Sequence, residues 1–407
     1  MLARRTLPGL KPTFSKARLL ATTPTAPLKR TPLYDLHVEH GGKMVPFAGF
    51  SMPVLYAAQS LTDSHLWTRT KAGLFDVSHM VQFHVRGKGA VGFLESVVPA
   101  GLQELQGFSG TLTVMMNEQG GIRDDLIITK HTDEDFYVVT NAACREKDLT
   151  YLNDALRAWN KQHDQHVSID LMDNHALVAL QGPQAAEALQ DHTDTPLASL
   201  KFGNSGNASI DGVPCHVSRG GYTGEDGFEI SIPNTYAAQI TASLLADGGQ
   251  ARVALAGLGA RDSLRLEAGM CLYGSDLDDT TTPNEAGLLW TIPKRRRQEA
   301  NFPGASVVLQ QLDKATGGPA RKRVGLLIGA GGAPARAGAL IIHPETGQQV
   351  GTVTSGCPSP SLGTNIAMGY VESAFSKVGT ALGVKVRKNV GAATIAKMPF
   401  VPTRYYK

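Results

Sequence analysis

The chain has 407 residues, of which 42% are hydrophobic, 18% charged and 6% aromatic; this is a globular composition with length for two or three domains, and it excludes disorder or a fibre as a description of the whole. Glycine reaches 44 residues, above the usual share of about 7%, and favours a turn-rich chain with much β structure. The net charge of +3 averages two unlike parts: residues 1–30 hold seven basic side chains and no acid, while residues 31–407 carry 32 basic and 36 acidic groups. A slightly acidic body speaks against nucleic acid as a partner, which would call for a basic face. No stretch approaches the roughly 18 uninterrupted apolar residues of a membrane helix, so no membrane association is expected either.

In chain order, the opening segment MLARRTLPGLKPTFSKARLLATTPTAPLKR bears Arg, is rich in Ser and Thr and lacks acids, the compositional pattern of a mitochondrial presequence. Residues 34–56 mix Gly, Pro and aromatics with little periodicity and read as a packed loop or short strands. From Val81, the alternation of Val81, Phe83 and Val85 with Gln82, His84 and Arg86 has the period of a half-buried strand. Three apolar runs follow, separated by NEQGG and HTDED, and read as a β-meander, so residues 81–140 are predicted to be mainly sheet. Leu149, Leu152, Leu156 and Trp159 then fall at helical spacing.

Shorter helices are predicted at GPQAAEALQ and over residues 235–246, the second stopped by Gly248 and Gly249. Between them, CHVSRGGYTGEDGFEISIP reads as strand, Gly-rich loop, strand, with Phe228, Ile230 and Ile232 on one face and Glu229 and Ser231 on the other. ARDSLRLEAG reads as a helix, and the run PKRRRQEANFP at 293–303 as a boundary. Beyond it, residues 321–402 hold short apolar runs broken by Gly and Pro turns, the pattern of a small β-barrel or sandwich. The four cysteines, at 144, 215, 271 and 357, are too scattered for a disulfide module or a zinc ribbon and suit a reducing compartment.

Several residues carry candidate chemistry. Asp124 and Asp125 sit at the mouth of a hairpin, where alternation should send one carboxylate to a pocket and the other to solvent; a fully solvated pair is the plainer alternative. Arg123 stands beside them, placed either to pair with Asp124 or to turn towards Asp125. Gly220, Gly221, Gly224 and Gly227 supply more freedom than a hairpin needs and suggest backbone approaching a ligand. Arg261 and Arg265 share a helix face, as an anion clamp or in internal pairs with Asp262 and Glu267. The HxxH pairs His37/His40 and His163/His166 lack a third ligand at familiar spacing and read as surface histidines. GAGGAP at 329–334 fails as a dinucleotide loop, and neither a Walker loop nor a GxSxG elbow is present. Lys294 to Arg297 reads as a solvated run or a docking patch for an acidic partner. At this level the residues define a mixed α and β protein with carboxylates near Gly-rich loops, and no reaction.

Longer stretches say more. GLFDVSHM (73–80), NEQGGIRDDLI (117–127), YVVTNA (137–142), ALQGP (179–183), RGGYTGEDGFEISIP (219–233), LGARDSLRLEAGMCLYGSDLD (258–278), TPNEAGLLWTI (282–292), KRRR (294–297), VGTVTSGCPSPSLGTNIAMGYV (350–371) and KMPFVPTRYY (397–406) together resemble the glycine cleavage T-protein family, in its mitochondrial form. They follow the family's order over nearly all of the chain after residue 30.

The resemblance implies an α+β, multi-domain folate-binding fold of mixed sheets and helices around a central cavity, with a C-terminal β-barrel. The corresponding division is a presequence at 1–30, folate-binding domains over 31–292, a boundary segment at 293–320 and the barrel at 321–407. It implies an aminomethyltransferase of the mitochondrial matrix, with tetrahydrofolate as co-substrate, lipoylated H-protein as partner, and neither metal nor flavin. Matched onto this sequence, Asp125 takes the catalytic position and Glu229 that of the pterin-binding acid. Arg261 and Tyr405 match the other folate positions, and Asn141 and Met80 line the same cavity. A non-catalytic folate-binding relative of the iron–sulfur assembly type would carry a KGCYxGQE-like stretch where this chain reads RLEAGMCLYGSDLD. A flavin-dependent dehydrogenase would need a further domain.

Overall fold

The computed structural model describes residues 27–313, 315, 317–329 and 333–407. Most of the predicted presequence, residues 1–26, and part of the GAGGAP stretch lie outside the described residues. The chain opens with α1 (Tyr34–Glu39) and the hairpin β1 (Gly42–Phe47) and β2 (Phe50–Tyr56), then α2 (Leu61–Thr70), β3 (Ala72–Asp76), β4 (Val81–Arg86) and α3 (Ala90–Val97). The meander is β5 (Ser109–Met116), β6 (Ile122–Thr132) and β7 (Asp135–Thr140), followed by α4 (Arg145–Gln162), β8 (Ser168–Leu171), β9 (His175–Gln181) and α5 (Ala185–Gln190). Next come β10 (Ser205–Ile210), β11 (Val213–Arg219), β12 (Gly227–Pro233), α6 (Asn234–Ala246), β13 (Val253–Leu255) and α7 (Leu258–Glu267). Short helices α8 (Pro283–Ala286), α9 (Lys294–Glu299) and α10 (Ala305–Gln310) lead into β14 (Arg321–Ile328), β15 (Leu340–Ile342), β16 (Gln349–Ser359), β17 (Thr364–Glu372), β18 (Ala381–Val386) and β19 (Asn389–Ala396).

Besides the β1–β2 hairpin, three larger β assemblies form among the described residues. A six-stranded sheet runs β10-β11-β12-β9-β3-β13, a five-stranded sheet runs β5-β6-β7-β4-β8, and β14-β17-β16-β15-β18-β19 close into a barrel. The period-two pattern explains their packing. Phe228, Ile230 and Ile232 on β12 are fully buried in the cluster that also holds Ile240 and Leu244 of α6, each such side chain contributing roughly 1.5–3 kcal/mol by leaving water. The opposite face of the same sheet, through Phe75, Leu177 and Ala179, meets Tyr137 and Val139 of the other sheet and Ala260 and Leu264 of α7. Glu229 therefore enters the space between the sheets.

The boundary segment carries structure of its own. Residues 293–320 contain α9 and α10, and Arg296 within KRRR is only 1% exposed. Its guanidinium bonds the carbonyl oxygens of Glu95 and Val98, while Arg295 pairs with Glu95, Glu104 and Glu299. The run is not simply solvated, because acids from α3 and its following loop cover it. Likewise α6 ends not at a glycine but at left-handed Asp247, whose carboxylate accepts from Arg252 at 2.7 Å.

Candidate functional site

The two aspartates open β6 after a bulge: Ile122 pairs with Met116 and Asp124 with Met115, leaving Arg123 as the extra residue. Arg123 neither pairs with Asp124 nor turns to Asp125; its guanidinium lies 4.7 Å from the Tyr151 ring centroid on α4. Alternation beyond the bulge does send the carboxylates to opposite faces, but the Asp124 face is not solvent. Asp124 is fully buried beneath the start of α4, within reach of Cys144 and Asp148. Burial, then the neighbouring Asp124, pushes the Asp148 carboxyl up to about 10. At neutral pH it keeps its proton and can donate it to Asp124.

Asp125 is half-buried and shares a clamp with its neighbour. The Asn141 side-chain amide donates to Asp124 Oδ1 at 2.8 Å and to Asp125 Oδ1 at 3.0 Å, and the Asn141 backbone N–H donates to Asp124 Oδ2 at 3.0 Å. Burial first, and the Asp124 charge second, raise the Asp125 carboxyl to about 7, against the lowering effect of the Asn141 hydrogen bond. A carboxyl that titrates there can hold or release a proton under working conditions.

Glu229 and Arg261 face each other's fields. Burial raises the Glu229 carboxyl while Arg261 lowers it, and burial lowers the Arg261 guanidinium while Glu229 raises it. Arg261 Nη1 is buried without a hydrogen-bond partner, and the guanidinium sits 4.8 Å from the Tyr222 ring centroid. Tyr222, whose hydroxyl donates to the Cys271 carbonyl, feels both Arg261 and Asp125, which ties the two halves together. Met80 packs against the cluster of Ala260 and Leu264 from the side of β3 and β4. Tyr405 is placed apart from these: its ring stacks on Phe202 at 3.8 Å, and Arg69 and Glu225 are the charges it feels.

Arg261 and Arg265 do not act as a clamp. Arg265 is absorbed internally by Asp262 at 2.8 Å and Asp276 at 2.6 Å, which leaves Arg261, with Nη1 unpartnered, as the cation that acts on Glu229. The glycines of the 220–227 loop serve packing as much as access. Gly221 has φ 156°, and a Cβ there would stand 1.9 Å from Gln181 Oε1, the atom that accepts from Thr223. His37 is no surface residue: it is fully buried, bonded to Asp76 at 2.8 Å and to the Tyr56 hydroxyl at 2.9 Å.

His79 was not singled out from the sequence. It is 6% exposed with Nδ1 unpartnered, and burial, with Arg261 adding to it, drives its ring down to about 4 against the pull of Asp76. It is a neutral imidazole beside the cation. Tyr222 and Asp148 were also passed over, although SHM and GYTGED mark the first two.

The comparisons agree with the fold. Residues 33–296 match the model of the GCVT N-terminal domain, and residues 321–402 that of the glycine cleavage T-protein C-terminal barrel domain. The chain belongs to the glycine cleavage T-protein family. It is 50% identical to the probable mitochondrial aminomethyltransferase of Schizosaccharomyces pombe, over 96% of this chain and 97% of that one. Against the human mitochondrial aminomethyltransferase the identity is 51%, over 93% of this chain and 91% of the relative. The crystal structure of the glycine cleavage system aminomethyltransferase T from Bartonella henselae superposes with a TM-score of 0.85 at 40% identity, covering 93% of this chain and all of that one. T-protein relatives named as aminomethyltransferases favour the catalytic reading over the non-catalytic folate binder of the same fold.

Proposed function

We propose that this chain transfers the methylene of the aminomethyl group on the lipoyl arm of H-protein to tetrahydrofolate, releasing ammonia and giving 5,10-methylenetetrahydrofolate and dihydrolipoyl H-protein. The observation that carries this is Asp125, a carboxyl poised near neutrality and clamped by Asn141, beside a space lined by Glu229 and an Arg261 with an unspent donor. Glu229 can accept paired hydrogen bonds from the pterin ring N–H and amino group. Arg261 works to lower that carboxyl against the burial that raises it. Asp125 orients the attacking folate amine and stabilises positive charge or accepts a proton while two new C–N bonds to folate replace the C–S bond to the lipoyl arm, which leaves as the thiol, and the C–N bond to the departing ammonia. Tyr405 and Met80 are assigned to the folate walls, and residues 1–30 to delivery into the mitochondrial matrix, in keeping with relatives named as mitochondrial.

The test is ammonia release from aminomethyl-loaded H-protein with the purified chain, with and without tetrahydrofolate. Release should require both, with methylenetetrahydrofolate in equal amount. Asp125→Asn should lower turnover by about 10²–10⁴ while folate affinity stays within a few-fold. Unchanged turnover removes Asp125 from the mechanism, and folate binding with no stimulated release removes the transferase reading.

A further inference from the structure

Away from Asp125, on the other side of Tyr137, lies a group of side chains the proposed reaction does not use. His84 of β4, His131 of β6 and Asp135 of β7 each offer one ligand atom, and these atoms lie within 4.8 Å of one another. The backbone builds the group. His84 faces Tyr137 across the β4–β7 ladder, so Asp135, two residues before Tyr137, stands diagonally on the same face. In the neighbouring ladder Lys130 pairs with Phe136 and Thr132 with Asp135. His131 is thus the bulged residue, and the bulge swings its ring towards Asp135.

The donor atoms stand close enough for one cation to gather them with small side-chain shifts. His84 Nδ1 is 2.6 Å from Asp135 Oδ1, and His131 Nδ1 is 3.9 Å from Asp135 Oδ2. Behind His131, its Nε2 meets His216 Nε2 of β11 at 3.1 Å. A metal-bound imidazole characteristically gives its second N–H to such an outer acceptor. Phe108 stacks on the His131 ring at 5.0 Å and restricts its rotation. Ring and carboxylate are half-buried, which leaves an approach from solvent and room for water to complete the shell.

We propose that His84, His131 and Asp135 form a divalent-metal site of the zinc type, with His216 as the hydrogen-bonding partner that orients His131. Two imidazoles and one carboxylate are a borderline donor set that suits zinc over magnesium or calcium. Ligands around a tetrahedral zinc stand about 3.4 Å apart, so binding replaces the His84–Asp135 hydrogen bond and draws His131 inward. Arg86, 3.4 Å from Asp135 Oδ1, opposes the cation, although Asp170 holds it at 2.9 Å. The site lies outside the proposed transfer chemistry, and its role is to pin the β6–β7 turn against β11 of the six-stranded sheet.

The experiment uses the full, tag-free chain stripped with chelator, titrated with zinc by calorimetry and with cobalt by visible absorption. One equivalent should bind, with cobalt showing the ligand-field bands of a low-coordinate nitrogen and oxygen site. His84→Ala and His131→Ala should each weaken binding beyond about 100-fold, and His216→Ala by about tenfold. Asp135→Asn, a mild change at a half-exposed position, should also weaken it, which covers the case in which a histidine variant fails to fold. Absence of saturable one-equivalent binding to the unaltered chain overturns the proposal. So does zinc binding that the substitutions leave unweakened.

Discussion

At Asp125, burial and the Asp124 charge push the carboxyl towards neutrality, and the Asn141 amide resists them. Asn141→Ala removes that resistance. A hydrogen bond to a charged group is worth about 1.5–3 kcal/mol, so the ascending limb of the pH–rate profile should move up by about 1–2 pH units, with activity recovered at alkaline pH. A uniform loss at every pH would mean that Asn141 acts by holding folate instead. Alternation along one strand was enough to separate Asp125 from Asp124, because it is a local property. What covers the Asp124 face was not legible, since Asp148 arrives from α4. His37 shows the same limit: its partner Asp76 is 39 residues away, and nothing in an HxxH spacing foretells that pairing.

Among the elements, α7 joins most of the structure, and Glu267 at its end is the fastening point. It is fully buried, accepts from Arg69 on α2 at 2.8 Å, and takes hydrogen bonds from Ser359 of β16 and from Ser361 at 2.5 and 2.7 Å. The sequence suggested an internal partner for Arg265; helical spacing could not reveal that α2 and the barrel claim this residue. Burial works to raise its carboxyl, but His65, Ser359 and Ser361 outweigh it and hold it at about 2, below an ordinary 4.5. A carboxylate depressed in this way contributes stability above the unfolded value, which is lost as pH falls from about 4.5 towards 2. Glu267→Gln leaves Arg69 with Glu225, at 2.9 Å, as its remaining counter-charge and should cost about 1–3 kcal/mol at neutral pH. Denaturant midpoints followed across pH should show the acid loss in that window diminished in the variant; an identical acid profile would assign it to other carboxylates.

Over the whole molecule, the stretch between the sheets and the barrel decides how the parts hold together, and composition misread it. A run of four basic residues is ordinarily solvated, yet Arg295 and Arg296 are spent on Glu95, Glu104 and Glu299, and of the four only Lys294 is exposed. The barrel itself was legible from its short apolar runs and turns, whereas its stitching was not: Asp276 receives Arg265 and the Thr354 hydroxyl, and its carbonyl accepts from Tyr370. Replacing all four basic residues would therefore confound lost docking with unfolding. Single substitutions separate them. Arg296→Ala orphans the buried Glu95 and Val98 carbonyls and should lower the melting midpoint by about 5–10 °C, whereas Lys294→Glu should leave it unchanged. Measured beside the Michaelis constant for H-protein at low salt, where exposed charge acts over ~10 Å or more, a rise with Lys294→Glu at unchanged stability identifies docking through the run's exposed end. A constant that moves only with Arg296→Ala, together with the melting midpoint, identifies a scaffold.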